Sequence, residues 1–104
     1  MRVIALKRLR DHWEQAGRAD SEQPLKSWYA ITRAASWAHF AEVKAQFGTA
    51  SAVGERVVFN IAGNKYRLVA SINYPYGIVF VKFVGTHRQY DAIDAQTIEG
   101  HYGH

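Results

Sequence analysis

A chain of 104 residues has room for one packed core and not for two, and with no cysteine it excludes disulfides, thiolate metal sites and cysteine nucleophiles. Apolar residues make up 48% and aromatics 13%, which argues against wholesale disorder, and no apolar run approaches the ~18 residues of a membrane span. Thirteen Lys and Arg against nine Asp and Glu leave a formal charge of +4, which suits a polyanionic partner such as RNA without requiring one.

Met1–Ala5 is a short apolar run, either an edge strand joining a later sheet or the lead-in to the first helix; the strand is favoured. Lys7, Arg8 and Arg10 follow it, the reverse of a secretory signal, whose charges precede a longer apolar region, so a cytoplasmic location is expected. From Leu6 to about Ala16 the spacing predicts a helix, with Leu6, Leu9 and Trp13 on one side and charges on the other, stopped by Gly17. Asp20 or Ser21 is expected to cap a second helix from about Glu22 to Ala34 or Ala35, with Pro24 in its first turn and Leu25, Trp28, Tyr29 and Ile31 or Thr32 as its stripe. Ser36–His39 reads as a connector, Phe40–Phe47 as a third short helix ended by Gly48, and Thr49–Gly54 as a loop. The three tryptophans are expected to pack between helices, and His12 and His39 to face solvent.

Arg56–Asp91 organises the chain. Val57–Ile61, Tyr66–Asn73 and Ile78–Val84 are rich in β-branched and aromatic residues, and Gly63-Asn64 and Pro75-Tyr76-Gly77 separate them, the pattern of an antiparallel meander. With a two-residue turn at Gly63-Asn64, where Asn64 is expected to supply a positive φ, Asn60 faces Arg67 and Ile61 faces Tyr66. With a second turn at Pro75-Tyr76, Val69 faces Lys82 and Arg67 faces Val84. Alternation then puts Asn60, Arg67 and Lys82 on one face and Phe59, Ile61, Tyr66, Leu68, Ile72, Val79, Val81 and Phe83 on the other, against the helices. The expected fold class is α+β, N-terminal helices packed on one face of a small, mainly antiparallel sheet.

Past the third strand, Gly85, Thr86, His87, Arg88, Gln89, Tyr90 and Asp91 gather polar and titratable groups, and Asp91–Ala95 suits a helical turn. Residues 1–98 are expected to form the domain and 99–104 a flexible tail. His101 and His104 have metal-like spacing, but two ligands fall short of a zinc set, so neither metal nor cofactor is expected.

The segments FNIAGNKYRL and FVGTHRQYD, with the opening MRVIALKRLRDHWE and the middle QPLKSWY, resemble the HigB family of toxins from bacterial toxin–antitoxin pairs, within the wider RelE-like group. The resemblance covers nearly the whole chain and implies a RelE-like fold whose sheet face opposite the helices binds mRNA in the ribosomal A site. It implies metal-independent endonucleolytic cleavage, in which a ribose 2′-hydroxyl attacks the adjacent phosphate to leave a 2′,3′-cyclic phosphate and a 5′-hydroxyl. It also implies a HigA-like antitoxin with a helix-turn-helix, through which the complex binds operator DNA.

Such cleavage needs a base, donors for the phosphorane's added charge, and an acid. His87 suits acid or base work, since imidazole changes charge near neutrality. Arg67 can donate in a fork to phosphate oxygens, Lys82 adds positive potential, and Tyr90 can stack on a base or donate. These four are the candidate catalytic residues, with Asn60, Lys65 and Arg88 as candidate RNA-binding residues. Arg67 matches the RelE-type strand arginine, His87 its post-glycine basic residue and, with a small shift, Tyr90 its C-terminal tyrosine. Where RelE carries two strand lysines this chain has Val58 and Asn60, which moves weight to His87. The plainer alternatives are an Arg67 that only pairs with Asp91 or Glu99, a Lys65 that is a solvent lysine, and a non-catalytic module that inhibits translation by binding RNA or the ribosome.

Overall fold

Tyr66–Asn73 is apolar at every position but Arg67, Ser71 and Asn73, and this strand forms the middle of the sheet. The computed structural model describes residues 1–100. Its elements are β1 (Arg2–Ile4), α1 (Leu6–Trp13), a 3-10 turn (Ala19–Ser21), α2 (Glu22–Ala34), α3 (Phe40–Gln46), β2 (Ser51–Val53), β3 (Arg56–Ile61), β4 (Tyr66–Asn73), β5 (Ile78–Thr86) and α4 (His87–Asp91). The five strands lie in the order β1-β5-β4-β3-β2, with β1 parallel to β5 and every other pair antiparallel. The α+β class, with helices on a mainly antiparallel sheet, is as expected. No helix among the described residues is long and apolar enough to cross a membrane.

The first turn holds the expected pairing, Asn60 opposite Arg67 and Ile61 opposite Tyr66. Its left-handed residues are Ala62 and Gly63, not Asn64. The second hairpin departs from expectation. Asn73 pairs with Ile78 and Ala70 with Val81, but beyond them Val69 pairs with Phe83 and Arg67 with Gly85. Lys82 is therefore the extra residue of a β-bulge, and the expected pairings of Val69 with Lys82 and Arg67 with Val84 do not occur. A bulge lets two successive side chains point to one side. Lys82 stays off the helix-covered face, while Phe83, expected in the main core, moves to the opposite face. Val84 takes its place, packing against the main core.

That core joins Leu9, Leu25, Trp28, Trp37 and Val43 to Phe59, Ile61, Tyr66, Leu68, Val79 and Val81, with the Trp28 and Phe47 rings edge-on to Phe59. Burying side chains of this size, at ~25 cal/mol per Å², is the main stabilising contribution. The tryptophans join the core, Trp28 and Trp37 buried and Trp13 partly so, but the Trp28 ring meets Phe59 of the sheet where packing between helices was expected. His12, expected in solvent, is buried. Its Nδ1 lies 2.9 Å from Ser21 Oγ, whose own proton goes to the Arg18 carbonyl, so Nδ1 carries the hydrogen and donates. Ser21 is thus used by His12 and Arg18; neither it nor Asp20 makes the expected side-chain cap on α2. Part of the expected 49–54 loop forms the edge strand β2.

The second face has a smaller core. Val58, Val69 and Phe83 are covered by Ala95, with Tyr90, Ile93 and Ile98 packed around them. The segment after α4 therefore crosses the sheet. Arg56 Nη1 donates to the carbonyls of Ala95 and Ile98, and the side chain of Gln96 lies over Gly54.

Candidate functional site

Arg67 sits at the end of β4, where the cross-strand neighbour is a glycine. A Cβ on Gly85 would come within 2.5 Å of the Phe83 ring and 2.8 Å of the Gln89 side chain, so the absence of one lets both settle there. Gln89 in turn completes the entry to α4. Thr86 Oγ1 accepts from the Gln89 amide at 3.1 Å, and Gln89 Oε1 accepts from the Thr86 amide at 2.9 Å, a reciprocal capping box. The helix thus starts at His87, earlier than the Asp91–Ala95 turn expected, and His87 is its first residue.

This start orients three side chains. His87 and Asp91 are four residues apart, with Nδ1 and Oδ2 at 3.2 Å, and both are exposed. His87 and Tyr90, three apart, lie on neighbouring positions of the same helix surface. The Tyr90 ring reaches back to β4, and the Arg67 guanidinium carbon lies 6.0 Å from its centroid. Arg67 also donates to the Asn64 carbonyl at 3.4 Å. It pairs with neither carboxylate considered from sequence: Asp91 faces His87, and Glu99 is held elsewhere. Asn60, opposite Arg67 on β3, and exposed Arg88 on α4 border this group.

Two of the expected cations have their ammonium groups held by carboxylates outside it, although the Lys65 carbonyl accepts from the His87 amide at 3.3 Å. Lys65 pairs with Asp20, which also accepts from the Tyr66 hydroxyl at 2.5 Å, and Lys65 lies 5.5 Å from the Tyr66 ring centre. Both cation and hydroxyl hold the Asp20 carboxyl below the usual carboxylate range. Lys82 lies three residues before Gly85, ~10 Å along the strand, and the Val58–Val69–Phe83 cluster intervenes. Its Nζ donates to Glu99 at 2.8 Å, and the other Glu99 oxygen accepts from Arg56 at 2.5 Å. The two cations, Lys82 first, lower the Glu99 pKa. The expectation of one converged polar face is corrected here, because the bulge and the crossing segment divide it. Residues 101–104, with the histidine pair and most of the expected tail, lie outside the described residues.

Sequence reasoning did not assign Asp91, Arg56, Gly85 or Gln89. Thr86-x-x-Gln89 was a legible capping box; the roles of Arg56 and Glu99 depend on a chain path with no local signature.

The family model described as HigB toxin, the RelE-like toxic component of a toxin–antitoxin system, matches residues 21–93. The chain belongs to the HigB toxin family. It is accordingly a toxin of a toxin–antitoxin pair, with an antitoxin as partner. The matched span takes in α2 through α4 and so holds every candidate residue of this HigB toxin, while β1 and α1 precede it. Comparison with curated proteins gives no significant match.

Proposed function

We propose that this HigB toxin is an endoribonuclease that cuts translated mRNA in the ribosomal A site, by attack of a ribose 2′-hydroxyl on the adjacent phosphate. The observation that carries this reading is the Arg67 guanidinium seated over Tyr90, with His87 on the same short helix. A planar guanidinium held by a ring presents its remaining donors in a fixed fork, which suits the equatorial oxygens of a phosphorane. His87, half exposed beside Asp91, exchanges protons with the attacking or leaving oxygen, and Asp91 orients its ring through Nδ1. Asn60 and Arg88 contact the flanking backbone, and Lys82 contributes once Glu99 yields it. Neutralisation falls to a helix-turn-helix antitoxin, which carries the pair to operator DNA, and both act in the cytoplasm.

The test is induction of the wild type, Arg67→Ala and His87→Ala in cells, with growth followed and mRNA 5′ ends mapped. Wild type should arrest growth and create new 5′-hydroxyl ends, and both variants should do neither. Arrest without new ends would favour a non-catalytic inhibitor of translation. Wild-type cleavage by both variants would remove the site.

A further inference from the structure

Asp20 stands outside the sheet, in the 3-10 turn that leads into α2, yet its carboxylate joins two residues of the sheet. One oxygen accepts from the Tyr66 hydroxyl at 2.5 Å and the other from the Lys65 ammonium. Tyr66 is fully buried and the His12 ring meets it edge-on at 4.9 Å, so its hydroxyl is presented from a fixed position. Lys65 belongs to the turn between β3 and β4. That turn is closed by the Lys65 amide donating to the Ala62 carbonyl at 3.3 Å, and Ala62 is held in the left-handed region at φ 55°, which an alanine resists. Two successive carbonyls of the turn face the candidate site. The Asn64 carbonyl accepts from Arg67 Nη1 at 3.4 Å, and the Lys65 carbonyl accepts from the His87 amide at 3.3 Å. The position of one strained turn therefore sets both the guanidinium and the first residue of α4.

We propose that Asp20 is a positioning residue for RNA cleavage: through Lys65 and Tyr66 it tethers the β3–β4 turn to the helical layer and so aims Arg67 and His87. The proposal rests on the cleavage reading above. Asp20 acts through the turn and not on the substrate, and Lys65 serves as the tether's cation rather than as a contact to RNA. Reaction geometry is sensitive to small shifts, since a displacement of about 1 Å can cost about a hundredfold in rate. The Lys65 and Asp20 side chains are 58% and 47% exposed, and an ion pair so exposed adds little to stability. A rate lost in a chain that is still folded thus separates positioning from a merely structural role.

The experiment measures cleavage on ribosomes programmed with an mRNA, with toxin in excess, so that a limiting rate and a half-saturating toxin concentration are read separately. Asp20→Ala should lower the limiting rate about tenfold and leave the half-saturating concentration within about twofold. Lys65→Met and Tyr66→Phe should lower the rate in the same way, and Asp20→Ala with Lys65→Met should be no slower than Asp20→Ala alone, because the two residues act as a unit. Hydrogen exchange followed by NMR supplies a readout without catalysis. The His87 amide should lose protection severalfold in Asp20→Ala, while the Leu68 amide in the middle of the sheet keeps it. Circular dichroism checks folding; should Asp20→Ala unfold the chain, Lys65→Met and Tyr66→Phe decide. A wild-type limiting rate in the folded variants overturns the proposal. So does a change confined to the half-saturating concentration, which would make Lys65 a direct RNA contact, and so does a rate loss with His87 exchange unchanged. A wild type that does not cut removes the cleavage reading and this role with it, whereas failure of this proposal alone shows as a cutting wild type matched by its variants.

Discussion

The Arg67 guanidinium carbon lies 6.0 Å from the centre of the Tyr90 ring, and this contact ties the last helix to the central strand of the sheet. An exposed cation–π pair contributes ~0.5–1 kcal/mol, so its main effect is on direction rather than stability. Tyr90→Phe keeps the ring, and Tyr90→Ala removes it. If Tyr90 serves as a platform, Phe should retain most cleavage in a reconstituted translation assay and Ala should lose about 10–100-fold. If its hydroxyl donates in the reaction, Phe and Ala should fall together. Arg67→Lys keeps the charge but loses the fork, and is expected to fall ~100-fold, the scale of losing a transition-state donor.

Glu99 holds Lys82 and Arg56 with its two oxygens. An RNA phosphate reaching Lys82 competes with that carboxylate. Glu99→Gln should therefore tighten binding of a short single-stranded RNA, severalfold at low salt. Its log-log salt slope should steepen by ~0.7, the value for one more phosphate neutralised on a single strand. Filter binding across a salt series measures both. Unchanged affinity and slope would place Lys82 outside the RNA path.

Phe83 is buried on the sheet face away from the helices, under the segment containing Ala95 and Ile98. Phe83→Ala should cost about 3 kcal/mol of stability, within the usual range for a large-to-small core change. It should also loosen the crossing segment, so that protease cuts within residues 92–100 appear before global unfolding. Urea melts and limited proteolysis with mass analysis report the two effects separately.

Burial lowers the His12 pKa to about 4, with Arg18 pushing the same way and Asp20 opposing. An unfolded histidine takes its proton near pH 6.5, so between about 6.5 and 4 the unfolded chain binds more protons than the folded one. Stability should decline as pH falls through that window, by roughly 3 kcal/mol in all. Asp20 and Glu99 have depressed pKa values, and their contributions are lost at lower pH, as each is protonated. His12→Gln should flatten the decline between pH 6.5 and 4 whatever its absolute stability, as measured by urea melts across pH.

Strand alternation, helix spacing and turn chemistry are local properties, and they were legible. Arg67 opposite Asn60, the start and end of α2 and most of the main core follow from side-chain period and Gly-Asn turn length alone. Along β5 the same alternation misled. Val-Phe-Val-Lys-Phe-Val reads equally well with or without a bulge, since Lys82 avoids the helix-covered face either way. Only packing chose: with Ala95 and Val69 waiting across the sheet, Phe83 is buried on that side and Val84 on the other. The partnering of His12, Asp20 and Glu99 likewise joins residues 9 to 46 positions apart, or 17 and 43 for Glu99, and no local pattern encodes such distances. The sequence by itself determined the three strands of the meander, though not the edge strand β2, and that Arg67, His87 and Tyr90 lie near one sheet end. The tertiary contacts decided that Lys82 is held apart from them, because burying a second apolar cluster under the C-terminal segment stabilises more than leaving that face open and polar.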